Sequence, residues 1–421
     1  MFFVISVFSI ISIAIFNFIF ALLFCFNFLT SQFPSSRACI AAGVALTRAL
    51  GKTPVVCVCH PLHGALTRGG DLGSGAGAET TSPRSGPRKF RPGFVGNRVI
   101  FAYVREAMLL TEEGASVGEI DAALRSFGFP IGPFEMSDLA GLDVGHRIRQ
   151  ANPEMTAAMS AHSPAGALEA GGTRGRARAA ERLPRYSPLA DRLVLGGRLG
   201  MKTGRGFYRY APQEKRESGL FGWLATGAAA VGLLDASAIA ASSKPVAQLD
   251  PTVDALAAQL GREFRPLRHA QAPGAPAFLA LPALPKASDV GASAATARAQ
   301  RADSIQLRLL LPMVNEAFHL LGEGIVASDR PGDIDTCLCL GFGFPAWRGG
   351  PLFWAEHCVP GGLPAVEASL ARLAAAFPAG AADLVPAPLL KALVLRGLGI
   401  WDLQDRPWLV GELLRGASAR L

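Results

Sequence analysis

A long internal repeat is the feature that most constrains what this chain can fold into. The segment GFVGNRVIFAYVREAMLLTEEGASVGEIDAALRSFGFPIGPFEMSDLAGLDVG, which starts at Gly93, returns in a looser form from near Ile305. The markers Glu106, Gly114, Asp121, Phe127–Pro130 and Gly132–Pro133 come back in the same order as Glu316, Gly324, Asp335, Phe342–Pro345 and Gly350–Pro351. Their spacing grows from 210 residues to 218, as small loop insertions would produce. So long a unit is a duplicated domain rather than a solenoid repeat, and we expect its two copies to pack together.

The start of the first copy has the pattern of an amphipathic helix that ends at Gly114. Apolar residues recur there at spacings of three and four: Val99, Ile100, Tyr103, Val104, Ala107 and Leu110. Ser116 and Glu119 then form a capping box for a second helix, which Gly128 can close in a left-handed turn.

A third helix is predicted after the Phe-Gly-Phe-Pro corner. Pro130 and Pro133 prevent the second helix from continuing, and Gly132-Pro133 can begin the third, which carries Phe134, Met136 and Leu139. The sequence therefore predicts a mainly α-helical protein in which compact units have tight corners.

The positive charge of the chain does not indicate a nucleic-acid partner. The formal net charge is +8 and the pI is about 9.4. Its arginines concentrate in stretches such as 171–185, which is broken by glycine, and no basic helical face with interleaved aromatic residues is present. We expect these stretches to be solvated linkers.

Seven cysteines in 421 residues do not form a disulfide framework, and a reducing compartment is expected. The densest group of metal-ligand residue types is CVCHPLH, with Cys57, Cys59, His60 and His63. Its spacing does not fit a structural zinc site, and the alternation in PVVCVC is typical of a strand. We expect no metal site there.

The first 29 residues contain no charged side chain over a length that could span a bilayer as a helix. They lack the basic start and small-residue cleavage site of a secretory signal, and the composition changes abruptly near Ser35. Two interpretations stay open: a membrane anchor, or a start read from noncoding sequence.

Several linked motifs closely resemble one enzyme family. These are GFVGNR, EEGAS, FGFPIGPFEMSDLAGLDVG, RYSPLADRLVLGGRLGMKTGRGFYRY and GFGFPAWRGGPLFWA. Together they resemble the C-terminal part of the 3-hydroxyacyl-CoA dehydrogenase family, above all its bifunctional peroxisomal members, over roughly 91–150, 184–210 and 303–375. That family places two tandem helical domains after a Rossmann domain, in agreement with the repeat.

The resemblance implies oxidation of 3-hydroxyacyl-CoA to 3-oxoacyl-CoA in fatty-acid β-oxidation, with NAD as the cofactor and an acyl-CoA as the substrate. It places Asn97 of GFVGNR in the active-site cleft, whereas the residues alone favour a helix N-cap at this position. It also leaves homo-oligomerisation open. The closing residues Ala419, Arg420 and Leu421 have the pattern of a peroxisomal signal, so we expect a peroxisomal location, with a membrane location through residues 1–29 as the alternative.

The nucleotide-binding part of the family is largely missing from the sequence. Residues 38–58 resemble only its last helix and strand, and Gly73, Gly75 and Ala78 match a phosphate-binding loop without a strand before them or a helix after them. No histidine has the surroundings of the family's catalytic His-Glu pair. We therefore expect this chain to be incomplete and inactive alone, and a non-catalytic helical dimerisation or interaction module, which could be membrane-anchored, remains the alternative.

The expected domains follow from these observations. They are an apolar leader (1–30), a Rossmann remnant (35–59), a disordered insert (60–91), a first helical domain (92–210), a low-complexity linker (211–302), a second helical domain (303–400) and a tail (401–421). In GMKTGRGFYRY, which closes the first helical domain, we expect glycines in a turn and aromatic residues that pack on the helices.

Overall fold

The computed structural model describes residues 41, 44–45, 47–49, 55, 94–152, 155–157, 159, 185–210, 247–268, 292–377 and 383–418. The chain divides into two compact units, Met1–Pro92 and Gly93–Leu421, and the second unit contains both copies of the repeat. The predictions for the leader, for the insert at 60–91 and for the C-terminal tripeptide lie outside the described residues. In the predicted Rossmann remnant, the described residues at 41, 44–45 and 47–49 are helical.

The described part of the second unit is mainly α-helical, as predicted. The first copy begins with α1 (Phe94–Glu112), α2 (Val117–Phe127), α3 (Pro133–Ala140), α4 (Leu142–Ala151) and α5 (Leu189–Leu195). Strands β1 (Tyr208–Tyr210) and β2 (Ala247–Leu249) form an antiparallel pair, and α6 (Pro251–Arg268) follows.

The second copy begins with counterparts of α1, α2 and α3. It contains α7 (Ala292–Gly322), α8 (Gly332–Phe342), α9 (Pro351–Phe353), α10 (Gly362–Ala376), α11 (Pro388–Arg396), α12 (Asp402–Asp405) and α13 (Leu409–Ser418). A π-helical turn, Trp354–Cys358, extends α9. None of the helices in the described ranges is both long enough and apolar enough to cross a membrane.

The predicted capping box at the start of α2 is present. The Glu119 amide donates to the Ser116 hydroxyl, the Glu119 carboxylate accepts from the Ser116 amide, and Gly128 ends the helix with a φ of +123°. The third helix also forms where predicted, but Leu139 is 63% exposed and does not join the core.

Each copy fixes its corner with the same buried carboxylate. Asp121 accepts hydrogen bonds from the amides of Phe134 and Glu135 at the start of α3, at 3.0 and 3.1 Å. Asp335 accepts from Leu352 and from Phe353 at the start of α9, at 2.8 and 3.0 Å. The first backbone amides of a helix have no hydrogen-bond acceptor within the helix, and these carboxylates supply one.

The first copy holds the second through an arginine near the start of α1. Nε of Arg98 donates to Glu316 on α7 at 2.6 Å, and Nη1 donates to Glu323 at 2.7 Å. The three side chains lie at the packed interface of α1 and α7, counterpart helices of the repeat.

The second copy returns the same contact. Arg308, 210 residues after Arg98, donates from Nε to Glu106 at 2.8 Å and from Nη1 to Glu113 at 2.9 Å. Glu106 and Glu113 precede the partners of Arg98 by the same 210 residues. The interface is therefore isologous in form, as in a two-fold dimer, although one chain makes both halves.

The two Phe-Gly-Phe-Pro corners meet in the same reciprocal way. Gly128 lies against Pro345, and Gly343 lies against Pro130, so that a Cβ on either glycine would be only 3.0 or 2.8 Å from the opposite proline. Both glycines have positive φ, which restricts other residues at these positions. The prediction that the copies pack together is confirmed.

The predicted turn and aromatic residues after α5 do pack on the first copy. The ring of Phe207 lies 4.6 Å from that of Phe134, centroid to centroid. Tyr208 donates to the Asp121 carboxylate at 2.8 Å, and Tyr210 donates to Asp138 at 2.9 Å.

The linker predicted at 211–302 is wrong for its described residues. Residues 247–249 pair with β1, and α6 buries Val253, Ala257 and Leu260 in the first copy. The helical spacing of these three residues was present in the sequence, but the surrounding alanine and proline masked it. The predicted tail at 401–421 also contains α12 and α13, of which α13 packs on α11.

We expect Glu106→Gln to destabilise the protein by about 3–5 kcal/mol, because two buried arginines would lose their shared carboxylate. The matched control is Glu316→Gln at the equivalent position, where the carboxylate is partly exposed and the cost should be smaller. Urea unfolding followed by circular dichroism measures both. Equal losses of unfolding free energy for the two variants would contradict the view that burial of the Glu106 carboxylate sets the cost.

The stability of the protein should depend on pH through the same Glu106 carboxylate. Burial alone would raise the pKa of Glu106, but Arg185 and Arg308 outweigh it and hold the pKa below its ordinary value of 4.5. The stabilisation is therefore present above pH 4.5 and is lost as the pH falls through the folded-state pKa. We expect the difference in unfolding free energy between the wild type and Glu106→Gln to be full at neutral pH and to shrink as the pH falls below 4.5 through the folded-state pKa. A difference that does not change with pH would contradict this assignment.

Candidate functional site

Asn97 lies in the first turn of α1 and is exposed, whereas its neighbours Gly96 and Arg98 are buried. Its amide makes no hydrogen bond with another described residue, so both N–H donors and the carbonyl acceptor are open to a ligand. The site is therefore a polar amide on a helix whose flanks are held firmly.

The interpretation of Asn97 as a helix N-cap is wrong, because α1 begins at Phe94 and Asn97 lies inside it. The helix starts before the predicted cap because Val95 is buried and Gly96 packs against the second copy. Tertiary packing here overrides the local preference of asparagine for a cap position.

The second copy borders the site directly. A Cβ on Gly96 would overlap the ring of Phe342 at the end of α8, so only glycine allows this approach. Burial raises the pKa of the Cys337 thiol on α8, and the backbone of Gly96 opposes that rise. The residue before Asn97 is thus fixed by the other copy.

Arg98, the residue after Asn97, is held by ion pairs with the second copy. Its partners are Glu316 on α7 and Glu323 just beyond the end of that helix, and the guanidinium is almost fully buried. With contacts on both sides, the backbone of α1 at Asn97 is held in one position.

Two of the histidines are engaged in contacts of their own. His146 on α4 pairs with Asp191 at 2.8 Å, and Arg149 also donates to that carboxylate. His357 accepts from the indole of Trp401 at 3.1 Å. Neither contact involves Asn97, and the histidines at positions 60, 63, 162 and 269 lie outside the described residues.

The described residues do not fit NAD. A dinucleotide site needs parallel strands and a glycine-rich turn into a helix, and the strands within the described ranges form only an antiparallel pair. The glycines at 73 and 75 lie outside those ranges. Among the residues described, no group of three or more potential ligand side chains could hold a metal ion.

Sequence reasoning missed two aromatic residues near Asn97. Phe101 is 38% exposed on α1, and Phe342 comes from a position 245 residues after Asn97. A signal existed for Phe101, since it is a large apolar residue outside the buried stripe of its helix. Nothing local signals the approach of Phe342.

Residues 93–210 match the family described as "3-hydroxyacyl-CoA dehydrogenase, C-terminal domain". This segment includes the Asn97 site and ends at Tyr210 of β1. The first copy is a C-terminal domain of the 3-hydroxyacyl-CoA dehydrogenase family.

Curated relatives of this chain are peroxisomal bifunctional enzymes. The enzyme from Cavia porcellus is 32% identical over 305 residues, which are 72% of this chain and 31% of the relative. The Homo sapiens enzyme is also 32% identical over 305 residues, 72% of this chain and 32% of the relative. The chain spans about a third of the length of the curated relatives it matches.

Two solved structures align with part of this chain. The dehydrogenase part of multifunctional enzyme 1 from C. elegans is 17% identical, with a TM-score of 0.38 over 70% of this chain and 46% of that one. The 3-hydroxybutyryl-CoA dehydrogenase from Escherichia coli K12 is 21% identical, with a TM-score of 0.43 over 86% of this chain and 66% of that one.

We expect Gly96→Ala to destabilise the protein by about 1–3 kcal/mol, because the added methyl group must displace the Phe342 ring. In a Phe342→Ala background the same substitution should cost much less, since the space is then empty. Thermal unfolding of the four proteins gives the coupling between the two positions. Additive effects would contradict a direct contact at the site.

Proposed function

We propose that the helical unit is the substrate side of an NAD-dependent 3-hydroxyacyl-CoA dehydrogenase of fatty-acid β-oxidation, and that Asn97 binds the thioester substrate. The family match of residues 93–210 and the exposed, rigidly flanked amide of Asn97 support this function. The observation that carries most is the difference between copies: Leu307, the equivalent of Asn97, cannot form such a hydrogen bond.

The amide of Asn97 suits an oxygen-rich substrate head. Its N–H groups can donate to the carbonyl oxygen of a thioester or of a 3-oxo product, and its oxygen can accept from a 3-hydroxyl. The first turn of α1 adds the positive end of a helix dipole, which favours partial negative charge on such an oxygen. Asn97 would therefore orient the substrate, and we assign the described residues no part in hydride acceptance.

A peroxisomal location is part of the proposal. The closing Ala419, Arg420 and Leu421 have the pattern of a peroxisomal signal, and curated relatives carry peroxisomal names. Both observations suit an acyl-CoA substrate from β-oxidation.

The test is binding of acetoacetyl-CoA to the purified chain, measured by isothermal titration calorimetry. We expect Asn97→Ala to weaken binding about tenfold, as the loss of one hydrogen bond to a bound oxygen would. Leu307→Ala is the matched control, because it changes the equivalent position of the second copy and should leave the affinity unchanged.

Absence of acetoacetyl-CoA binding to the wild-type chain would overturn the proposal and favour the non-catalytic interaction module. Equal losses for Asn97→Ala and Leu307→Ala would show that the thioester binds away from the first copy. A separate titration with NAD examines whether the chain also binds the family's cofactor.

A further inference from the structure

One face of α1 continues from Asn97 to an aromatic side chain. Phe101 follows Asn97 by four residues, so the two side chains lie on the same side of the helix, about 6 Å apart along its axis. Both are exposed, whereas Arg98, Val99 and Ile100 between them are buried. The face thus presents an amide followed by an apolar ring.

The fold itself does not require this aromatic residue to be exposed. The equivalent position in the second copy is Leu311, which is 1% exposed in the core, whereas Phe101 is 38% exposed. These positions are equivalent in the repeat, because Arg98 and Arg308 form reciprocal contacts at the same spacing. The copy that carries the asparagine therefore has an exposed aromatic residue at this position, whereas the other copy has a buried leucine.

The ends of the face are already occupied. Phe342 packs on Gly96 at one end. At the other end, the guanidinium of Arg105 pairs with Asp383 at 2.7 Å. Between these contacts, the exposed surface of the helix is a hydrogen-bonding group and an apolar group one turn apart.

This order matches a ligand with a polar head that continues into a hydrocarbon chain. A 3-hydroxyacyl thioester has that chemistry, because its oxygens lie at the first carbons and the remaining carbons are apolar. Each methylene group buried against a ring contributes about 0.8 kcal/mol, so the contact strengthens with chain length until the ring is covered.

We propose that Phe101 contacts the acyl chain of the thioester held by Asn97 and thereby sets the preference for chain length. This inference rests on the proposed function. Short acyl chains end before they reach the ring, whereas long chains cross it.

The experiment compares the affinities of 3-hydroxybutyryl-CoA and 3-hydroxydecanoyl-CoA for the intact chain by isothermal titration calorimetry. We expect Phe101→Ala to weaken binding of the long-chain thioester about five- to tenfold, while the short-chain thioester changes less than about twofold. Phe101→Leu should restore part of the long-chain affinity, because it keeps an apolar side chain.

Phe353→Ala is the matched control. Phe353 is also 38% exposed, but it lies on α9, where its ring contacts His357, away from α1. Its substitution should leave both affinities unchanged, which separates a specific contact from general adhesion of long acyl chains. Thermal unfolding of each variant shows that the fold is kept.

The outcomes distinguish this inference from the proposed function. If Asn97→Ala weakens both thioesters and Phe101→Ala changes them equally or not at all, the inference is wrong and the proposed function stands. If the wild-type chain binds neither thioester, the proposed function fails and the inference fails with it.

Discussion

The reciprocal pairing of arginine and glutamate across α1 and α7 is the interaction on which the rest of this unit depends. Arg98 contacts the second copy, and Arg308 contacts the first with carboxylates at the same spacing. Buried charges are costly unless they are fully paired, so these groups tolerate only one relative position of the two helices. That position brings the two Phe-Gly-Phe-Pro corners together and places α8 against the start of α1.

At the two corners, aromatic rings from both copies pack together in the core. Phe127 and Phe129 of the first corner meet Phe344 of the second with edge-on rings, at centroid distances of 5.9 and 5.4 Å. Such aromatic contacts add about 0.5–1.5 kcal/mol beyond the burial of area. Because α1 is held from both sides, the exposed amide at its start rests on a rigid support, as a binding site requires.

Local features were predictable from the sequence, and contacts between distant residues were not. The capping box at Ser116 and the proline starts of the helices depend on neighbours within a few residues, so the pattern alone indicates them. The repeat indicated a pair of packed domains, but it did not indicate that Arg98 and Glu316 are partners. The partners of a charged side chain depend on packing that no local pattern records.

The candidate site shows the same division. The motif around Asn97 was visible, whereas its position inside a helix depends on burial of Val95 and on the ring of Phe342. The helix after β2 was overlooked for a different reason. Its apolar residues Val253, Ala257 and Leu260 have helical spacing, but the alanine- and proline-rich text around them is typical of a linker.

The symmetry of the corners is broken by one short insertion. The second corner contains a 3-10 turn, Ala346–Arg348, where the first has the single residue Ile131. From this turn, Arg348 donates to the backbone carbonyl of Phe127 at 3.0 Å and stacks over its ring. In a homodimer, both subunits would carry the turn, and the interface would need space for two copies of it near the two-fold axis. Fusion of the copies in one polypeptide removes that demand, so each half is free to acquire changes that a homodimer could not accommodate.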